Sequence, residues 1–353
     1  MTSAADQARP TAKSHSLEWL FCFLVAVIAC LSLAGCERAP APVTLSGATM
    51  GTVWNLTYVP GEEPPDAATV RAAVQAQLDA VNASMSTYQS DSEISRVNVA
   101  PVEETSVLSE DFVAVLRAAL EVGERSAGAF DVTVGPLVNL WGFGPGEPVS
   151  SPPDQSSIDA VMGRVGQNRL SLDGNRLTRD TDLYLDFSSL AKGYAVDRLA
   201  IELMAMGLDR FLVEVGGEMR LSGMSPRDTP WRIAIERPDV GGRSVAMGID
   251  ITDSAIATSG DYRNYFEFEG RRYSHTIDPR SGFPVAHGLV SVTVLHDSAM
   301  FADAWATALS VLGDEALAVA LEQGLAVYFI HRVDGELVHS HTPGFAPYLG
   351  QMQ

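Results

Sequence analysis

Apolar residues gather into only one long uninterrupted run in this chain of 353 residues, Leu20–Leu33 (LFCFLVAVIACLSL). Beyond that run they recur at helix or strand periods among charged residues. The run holds 14 residues, short of the roughly 20 that a spanning helix needs. A polytopic membrane protein is thereby excluded, and a hydrophobic content of 46% excludes a disordered or collagen-like chain. Charge narrows the choice further. With 44 acidic against 24 basic residues the formal net charge is -20, a field that repels phosphate backbones and argues against DNA or RNA as a partner. Any anionic ligand must be held by local donors or by a metal ion working against that field.

Arg9 and Lys13 precede the apolar run, and Leu33-Ala34-Gly35-Cys36 follows it as a small-residue cleavage site ending in cysteine. This pattern resembles the lipobox of bacterial lipoproteins, which implies cleavage before Cys36 and lipidation of that residue, with several acyl chains in place of a spanning helix. An uncleaved membrane anchor is the alternative. The expected division is a signal peptide over 1–35, lipidated Cys36 with a stiff tether over 36–42, and a functional domain over 43–353. Cys22, Cys30 and Cys36 are the three cysteines, so a chain beginning at Cys36 keeps one, and that one carries lipid. No disulfide, thiolate zinc site or cysteine nucleophile is then possible. The expected location is the bacterial cell envelope.

The pattern beyond the tether predicts an α+β fold, mostly antiparallel sheets with packed helices. Val53–Val59 alternates like a strand. Val70, Val74, Leu78, Val81 and Met85 recur at helical spacing, and Ser109 caps a helix with Glu110 and Asp111 in its first turn. Residues 170–177 read as a hairpin turning at Asp173-Gly174-Asn175, and Ala191–Met206 as a helix ending at Gly207. Strands are expected over 211–215, 231–236, 245–251, 265–273 and 290–295. Helices over 300–312 and 314–323 and a last hairpin at Asp334-Gly335 complete the pattern.

Chemistry concentrates in short polar segments between those elements. Asp303 and Thr307 stand four apart on one helical face, hard oxygen donors suited to Mg²⁺ bound to a phosphate. An isolated pair of this kind is equally a threonine bonding back to the Asp303 carbonyl. Residues 186–197 (DFSSLAKGYAVD) run through a turn into a helix whose first turn carries Lys192. A cation there calls for an anionic partner, either a bound phosphate or a neighbouring Asp186 or Asp197. Residues 274–284 (SHTIDPRSGFP) offer His275 as a general base and Arg280 as a phosphate fork, or else a loop-capping histidine beside a turn.

Taken in order, these strings closely resemble the FAD:protein FMN transferases of the ApbE family. The resemblance runs from Gly47 to about Gly324 and rests on the strings TMGT (49–52), MSTY (85–88), GAFDVTVGPL (128–137), WGFG (141–144), residues 186–197, VGGE (215–218), TSGDY (258–262), residues 275–282 and ADAWATA (302–308). It implies that FAD is split at its pyrophosphate, that FMN is joined as a phosphoester to a Thr or Ser of an acceptor protein, and that AMP leaves. It further implies metal ligation by Asp303 and Thr307 with the backbone carbonyl at Ser189, and FAD contacts at Met50, Tyr88, Ala129, Phe130, Asp131, Asp186, Lys192 and Ile277. His275 is implied as the general base. The expected cofactor is Mg²⁺, with FAD as substrate. The expected partners are acceptor flavoproteins with a Ser-Gly-Ala-Thr-like motif, in membrane redox complexes or the periplasm, and the membrane itself through Cys36. The periplasmic face of the inner membrane is favoured by analogy. A Mg²⁺-dependent FAD pyrophosphatase, a non-catalytic flavin-binding lipoprotein and a structural envelope lipoprotein remain as alternatives. Ser46-Gly47-Ala48-Thr49 itself looks like an acceptor motif, which raises self-modification at Thr49.

Overall fold

The computed structural model describes residues 41–145, 149–238, 244–260 and 264–349. The expected signal peptide, Cys36, most of the tether, and Asp261 and Tyr262 of one family string lie outside the described residues. In chain order the strands are β1 (Val43–Thr49), β2 (Thr52–Tyr58), β3 (Ser106–Val107), β4 (Leu170–Asp173), β5 (Arg176–Arg179), β6 (Phe211–Val215), β7 (Glu218–Ser222) and β8 (Trp231–Glu236). They continue as β9 (Val245–Ile251), β10 (Ser254–Gly260), β11 (Tyr265–Phe268), β12 (Arg271–Ser274), β13 (Leu289–His296), β14 (Ala326–Val333) and β15 (Glu336–His341). Eight of them form the main sheet in the order β1-β2-β6-β7-β10-β13-β14-β15. Every neighbouring pair in it is antiparallel.

Both faces of this sheet are covered, which explains why β6, β13 and β14 read as nearly continuous apolar runs. Because side chains alternate between faces, Val213, Ala257, Val292, Val294 and Phe329 join one core cluster. Leu221, Ile256, Leu295, Tyr328 and Ile330 join another with Trp231, Ile233 and Ile249 of the β8–β9 hairpin. The first cluster also takes the helices Ala67–Met85, Glu110–Arg125, Ala191–Ala205 and Ala299–Leu312. Val70, Val74, Leu78, Val81 and Met85 are buried there, as their spacing predicts. The Ser109 hydroxyl accepts from the Phe112 amide at 3.2 Å, an N-cap where the sequence places it. A third, smaller cluster gathers Leu137, Trp141, Ile158 and Ile277.

Two interactions fix how the last two core helices meet. A Cβ on Gly193 would lie 2.2 Å from the Ala299 carbonyl oxygen, so only glycine lets the helix Ala191–Ala205 approach the start of Ala299–Leu312 this closely. One turn further along, Asp197 accepts from the Ala299 amide at 2.9 Å, the Met300 amide at 3.0 Å and the Ser298 hydroxyl at 2.6 Å. Arg220 pairs with the same carboxylate at 2.9 Å. The anion thus caps the free N–H groups of a neighbouring helix and meets the positive end of its dipole.

Two local features differ from the sequence expectations, and a third bears on Thr49. Residues 265–273 are two strands rather than one, because Glu269 (φ 50°) and Gly270 (φ 76°) form a tight turn that folds β11 onto β12. Strands β1, β7 and β10 carry too many polar and glycine residues to read as strands, and their sheet neighbours supply what local propensity lacks. Thr49 ends β1 at 7% exposure with its hydroxyl accepting from Asn82 at 3.2 Å, so it is not presented as an acceptor for self-modification.

Gly193→Ala is expected to lower the unfolding free energy by about 1–3 kcal/mol through overpacking. Urea denaturation would read this as a lower midpoint, and an unchanged midpoint would mean that the two helices do not meet so closely.

Candidate active site

The two crossing helices bring Asp303 against Gly193, and the Gly193 amide donates to Asp303 Oδ2 at 3.2 Å. In an uninterrupted helix that amide would bond to the carbonyl four residues back, at Ser189. Diverted to Asp303, it leaves the Ser189 carbonyl with no hydrogen-bond donor among the described residues. Thr307, one turn beyond Asp303, makes no hydrogen bond through its hydroxyl among the described residues, so it does not bond back to the Asp303 carbonyl. Ser189, Asp303 and Thr307 line one cavity of about 680 Å³, within the range for ligand sites.

Lys192 enters the same cavity from the first turn of its helix. Its ammonium lies 2.8 Å from Glu218 Oε1 and 3.7 Å from Asp303 Oδ2. Its anionic partners are therefore these two carboxylates, and neither Asp186 nor Asp197. Asp186 instead accepts from the Ser188 amide at 2.8 Å and shapes the turn before the helix. Glu218 follows the hairpin turn Gly216-Gly217, where φ is 64° and 113°. A Cβ on Gly216 would lie 3.2 Å from Lys192 Cδ, so the turn also leaves room for the lysine stem. Burial alone would push the Lys192 pKa down, but Asp303 and Glu218 outweigh it and hold the ammonium above its ordinary value. Burial pushes Asp303 up, with Glu218 adding to the effect and Lys192 opposing it.

On another wall, the His275 ring lies edge-on to Phe143 with centroids 6.3 Å apart. His275 Nδ1 is 3.0 Å from the Asn264 carbonyl oxygen. A carbonyl only accepts, so Nδ1 carries the proton and the neutral ring keeps its lone pair on Nε2. Burial, aided by the Lys192 charge, lowers the His275 pKa below 6.5, against the hydrogen bond to Asn264.

The segment 129–131 is clamped to the Asp186 turn by the Asp186 amide donating to the Val132 carbonyl at 2.7 Å. Asp131 accepts from the Thr133 amide at 2.7 Å and the Gln167 amide at 2.9 Å. Tyr88, Ala129, Phe130, Asp131, Asp186, Lys192, His275 and Ile277 all line the cavity with the three oxygen donors. Tyr88 is 72% exposed, a free aromatic surface at the rim, whereas Phe130 is buried. Met50 departs from the expectation. It sits in the β1–β2 turn with φ 49°, packs against the main core and is not among the lining residues. Arg280 is not among the residues lining the cavity, and its Nε and Nη2 donate to Asp278 at 2.9 Å, so it is not placed there as a phosphate fork. Sequence reasoning gave no role to Glu218, whose one local signal is an acid directly after a Gly-Gly turn. Ile233, Ile235 and Glu214 also line the cavity and carry no local signal at all.

The cavity wall holds the carboxylates of Asp131, Asp186, Glu214, Glu218, Glu236 and Asp303 against Lys192 and His275. A phosphate ligand would meet net repulsion there unless a cation intervened. Among the described residues no three His, Cys, Asp or Glu side chains cluster as a complete metal cage. The donors on offer are a carboxylate, a hydroxyl and a free carbonyl, an incomplete oxygen set of the kind Mg²⁺ shares with water and substrate phosphates. Glu218 Oε2 is buried in the same wall and has no hydrogen-bond partner among the described residues.

The ApbE family profile matches residues 50–329. An FAD:protein FMN transferase from Vibrio cholerae is 44% identical over 331 residues, covering 93% of this chain and 99% of that protein. One from Escherichia coli K12 is 39% identical over 347 residues, 94% of this chain and 99% of its own length. Among solved structures, the flavin transferase ApbE of V. cholerae superposes with a TM-score of 0.83 at 42% identity, covering 88% of this chain and 99% of that one. The apo flavinyl transferase ApbE of Pseudomonas stutzeri gives a TM-score of 0.82 at 38% identity, with 89% and 98% covered.

Proton NMR of the histidine rings is expected to show His275 titrating below 6.5 with its proton on Nδ1. A midpoint at or above that value would contradict the half-buried, carbonyl-bound ring.

Proposed function

Given that the chain belongs to the ApbE family and transfers FMN from FAD to protein, we propose that it does so in the acidic cavity with Mg²⁺ held by Asp303, Thr307 and the Ser189 carbonyl. The observation that carries this reading is that these three oxygen donors share one cavity with a histidine whose Nε2 is free to accept a proton. When bound, Mg²⁺ would neutralise charge developing on the pyrophosphate. His275 Nε2 takes the proton of the acceptor Thr or Ser hydroxyl as its oxygen bonds to the phosphorus of the FMN half. The bond from that phosphorus to the bridging oxygen breaks, and AMP departs with the bond's electron pair. Tyr88, Ala129, Phe130 and Ile277 offer apolar surface to the rings of FAD, and Asp131 and Asp186 offer polar anchors. The acceptor is a flavoprotein carrying a Ser-Gly-Ala-Thr-like motif. Lipid on Cys36 would hold the enzyme at the periplasmic face of the inner membrane, a reading supported by the leader and the cysteine that ends it.

Incubated with FAD, Mg²⁺ and a Ser-Gly-Ala-Thr peptide, the full chain is expected to raise the peptide mass by one FMN and release AMP. Asp303→Ala should abolish both. AMP and free FMN with an unlabelled peptide would identify a pyrophosphatase instead, and intact bound FAD across several acceptors would identify a carrier. In cells grown with radiolabelled palmitate the protein is expected to take up label and Cys36→Ser to take up none, and label retained in the variant would refute lipidation at that residue.

A further inference from the structure

Lys192 faces two carboxylates and sits unequally between them, at 2.8 Å from Glu218 and 3.7 Å from Asp303. The inequality has a physical cause. Asp303 Oδ2 already receives the Gly193 amide, which offsets part of its charge. Glu218 is 5% exposed, and its second oxygen has no hydrogen-bond partner among the described residues, so among them its charge is offset by the ammonium alone. The lysine therefore goes to the less compensated carboxylate. The Gly216-Gly217 turn sets Glu218 opposite Val215 on the neighbouring strand and leaves space for the lysine stem beside it. An ammonium free to close on Asp303 would compete with a divalent cation for that oxygen, because both are cations seeking the same carboxylate.

We propose that Glu218 is a positioning residue for the cation site, holding Lys192 short of Asp303 so that this carboxylate stays available to the metal. This rests on the reading that a divalent cation binds at Asp303. Glu218 need not touch the metal. Its action goes through Lys192, and it is needed only because Lys192 is there.

The test is binding of Mn²⁺ to the full chain in detergent, followed by electron paramagnetic resonance of the free ion, for wild type, Glu218→Gln, Lys192→Met and the double variant. Loss of Glu218 alone is expected to weaken Mn²⁺ binding about tenfold, since the ammonium then closes on Asp303. Removing Lys192 as well should restore binding to the wild-type level or beyond, because the competitor is gone. A double variant as weak as Glu218→Gln would overturn the proposal and make Glu218 a direct ligand. Undiminished binding in Glu218→Gln would overturn it as well. Wild-type binding no tighter than that of Asp303→Ala would instead refute the metal site on which the proposal rests, an outcome separate from either. Thermal melts with and without Mn²⁺ provide a second reading. The cation-induced rise in Tm should shrink in Glu218→Gln and recover in the double variant, and this remains measurable if a variant is less stable than wild type.

Discussion

The contact of two helices at Gly193 and Asp197 is the constraint on which the geometry of the cavity depends. Gly193 has no Cβ to strike the Ala299 carbonyl, and Asp197 caps the amides at the start of the partner helix. Together they fix both the spacing and the register of the crossing. The Gly193 amide is thereby aimed at Asp303, and the Ser189 carbonyl is released from helical bonding. The Ser189 carbonyl thus owes its availability to one backbone hydrogen bond that goes to a side chain instead of to its own helix.

The electrostatics follow from that packing. Asp303 is buried at the crossing, and a buried carboxylate is costly unless it is paired. Lys192 and the Gly193 amide meet part of the cost, and the remaining negative charge of the cavity wall is what a divalent cation would relieve. The overall acidity of the chain works in the same direction. A dinucleotide approaching a protein of net charge -20 needs a local positive centre, and among the described lining residues Lys192 carries the one permanent positive charge.

Much of the fold was legible because helix and strand periods survive in the local sequence. Val70 to Met85, Ser109 with its acidic first turn, and the Asp173-Gly174-Asn175 hairpin each carry their own signal, and each lies where expected. Strands β7 and β10 did not, since Glu218-Met-Arg and Ser254-Ala-Ile-Ala-Thr-Ser-Gly are strands only because sheet neighbours satisfy their backbones. Helix spacing placed Asp303 and Thr307 on one face, and the family strings picked out His275 and the Ser189 turn. Arg280 shows the limit of reading a charge locally, because it pairs with Asp278 two residues away and does not line the cavity.

By itself the sequence determined the element types, the net charge, and the residues able to donate oxygen or accept a proton, because these are properties of residue type and of periods shorter than a helix. It also determined the family, through ordered strings that span most of the chain. Only the tertiary structure decided which carboxylate holds Lys192, which carbonyl is left free, and which histidine nitrogen keeps its lone pair. Each of those depends on a contact between segments far apart in the chain. The partner that settles them, Glu218 for Lys192, Asp303 for the Gly193 amide, and Asn264 for His275, becomes a neighbour only once the sheet and its helices have packed.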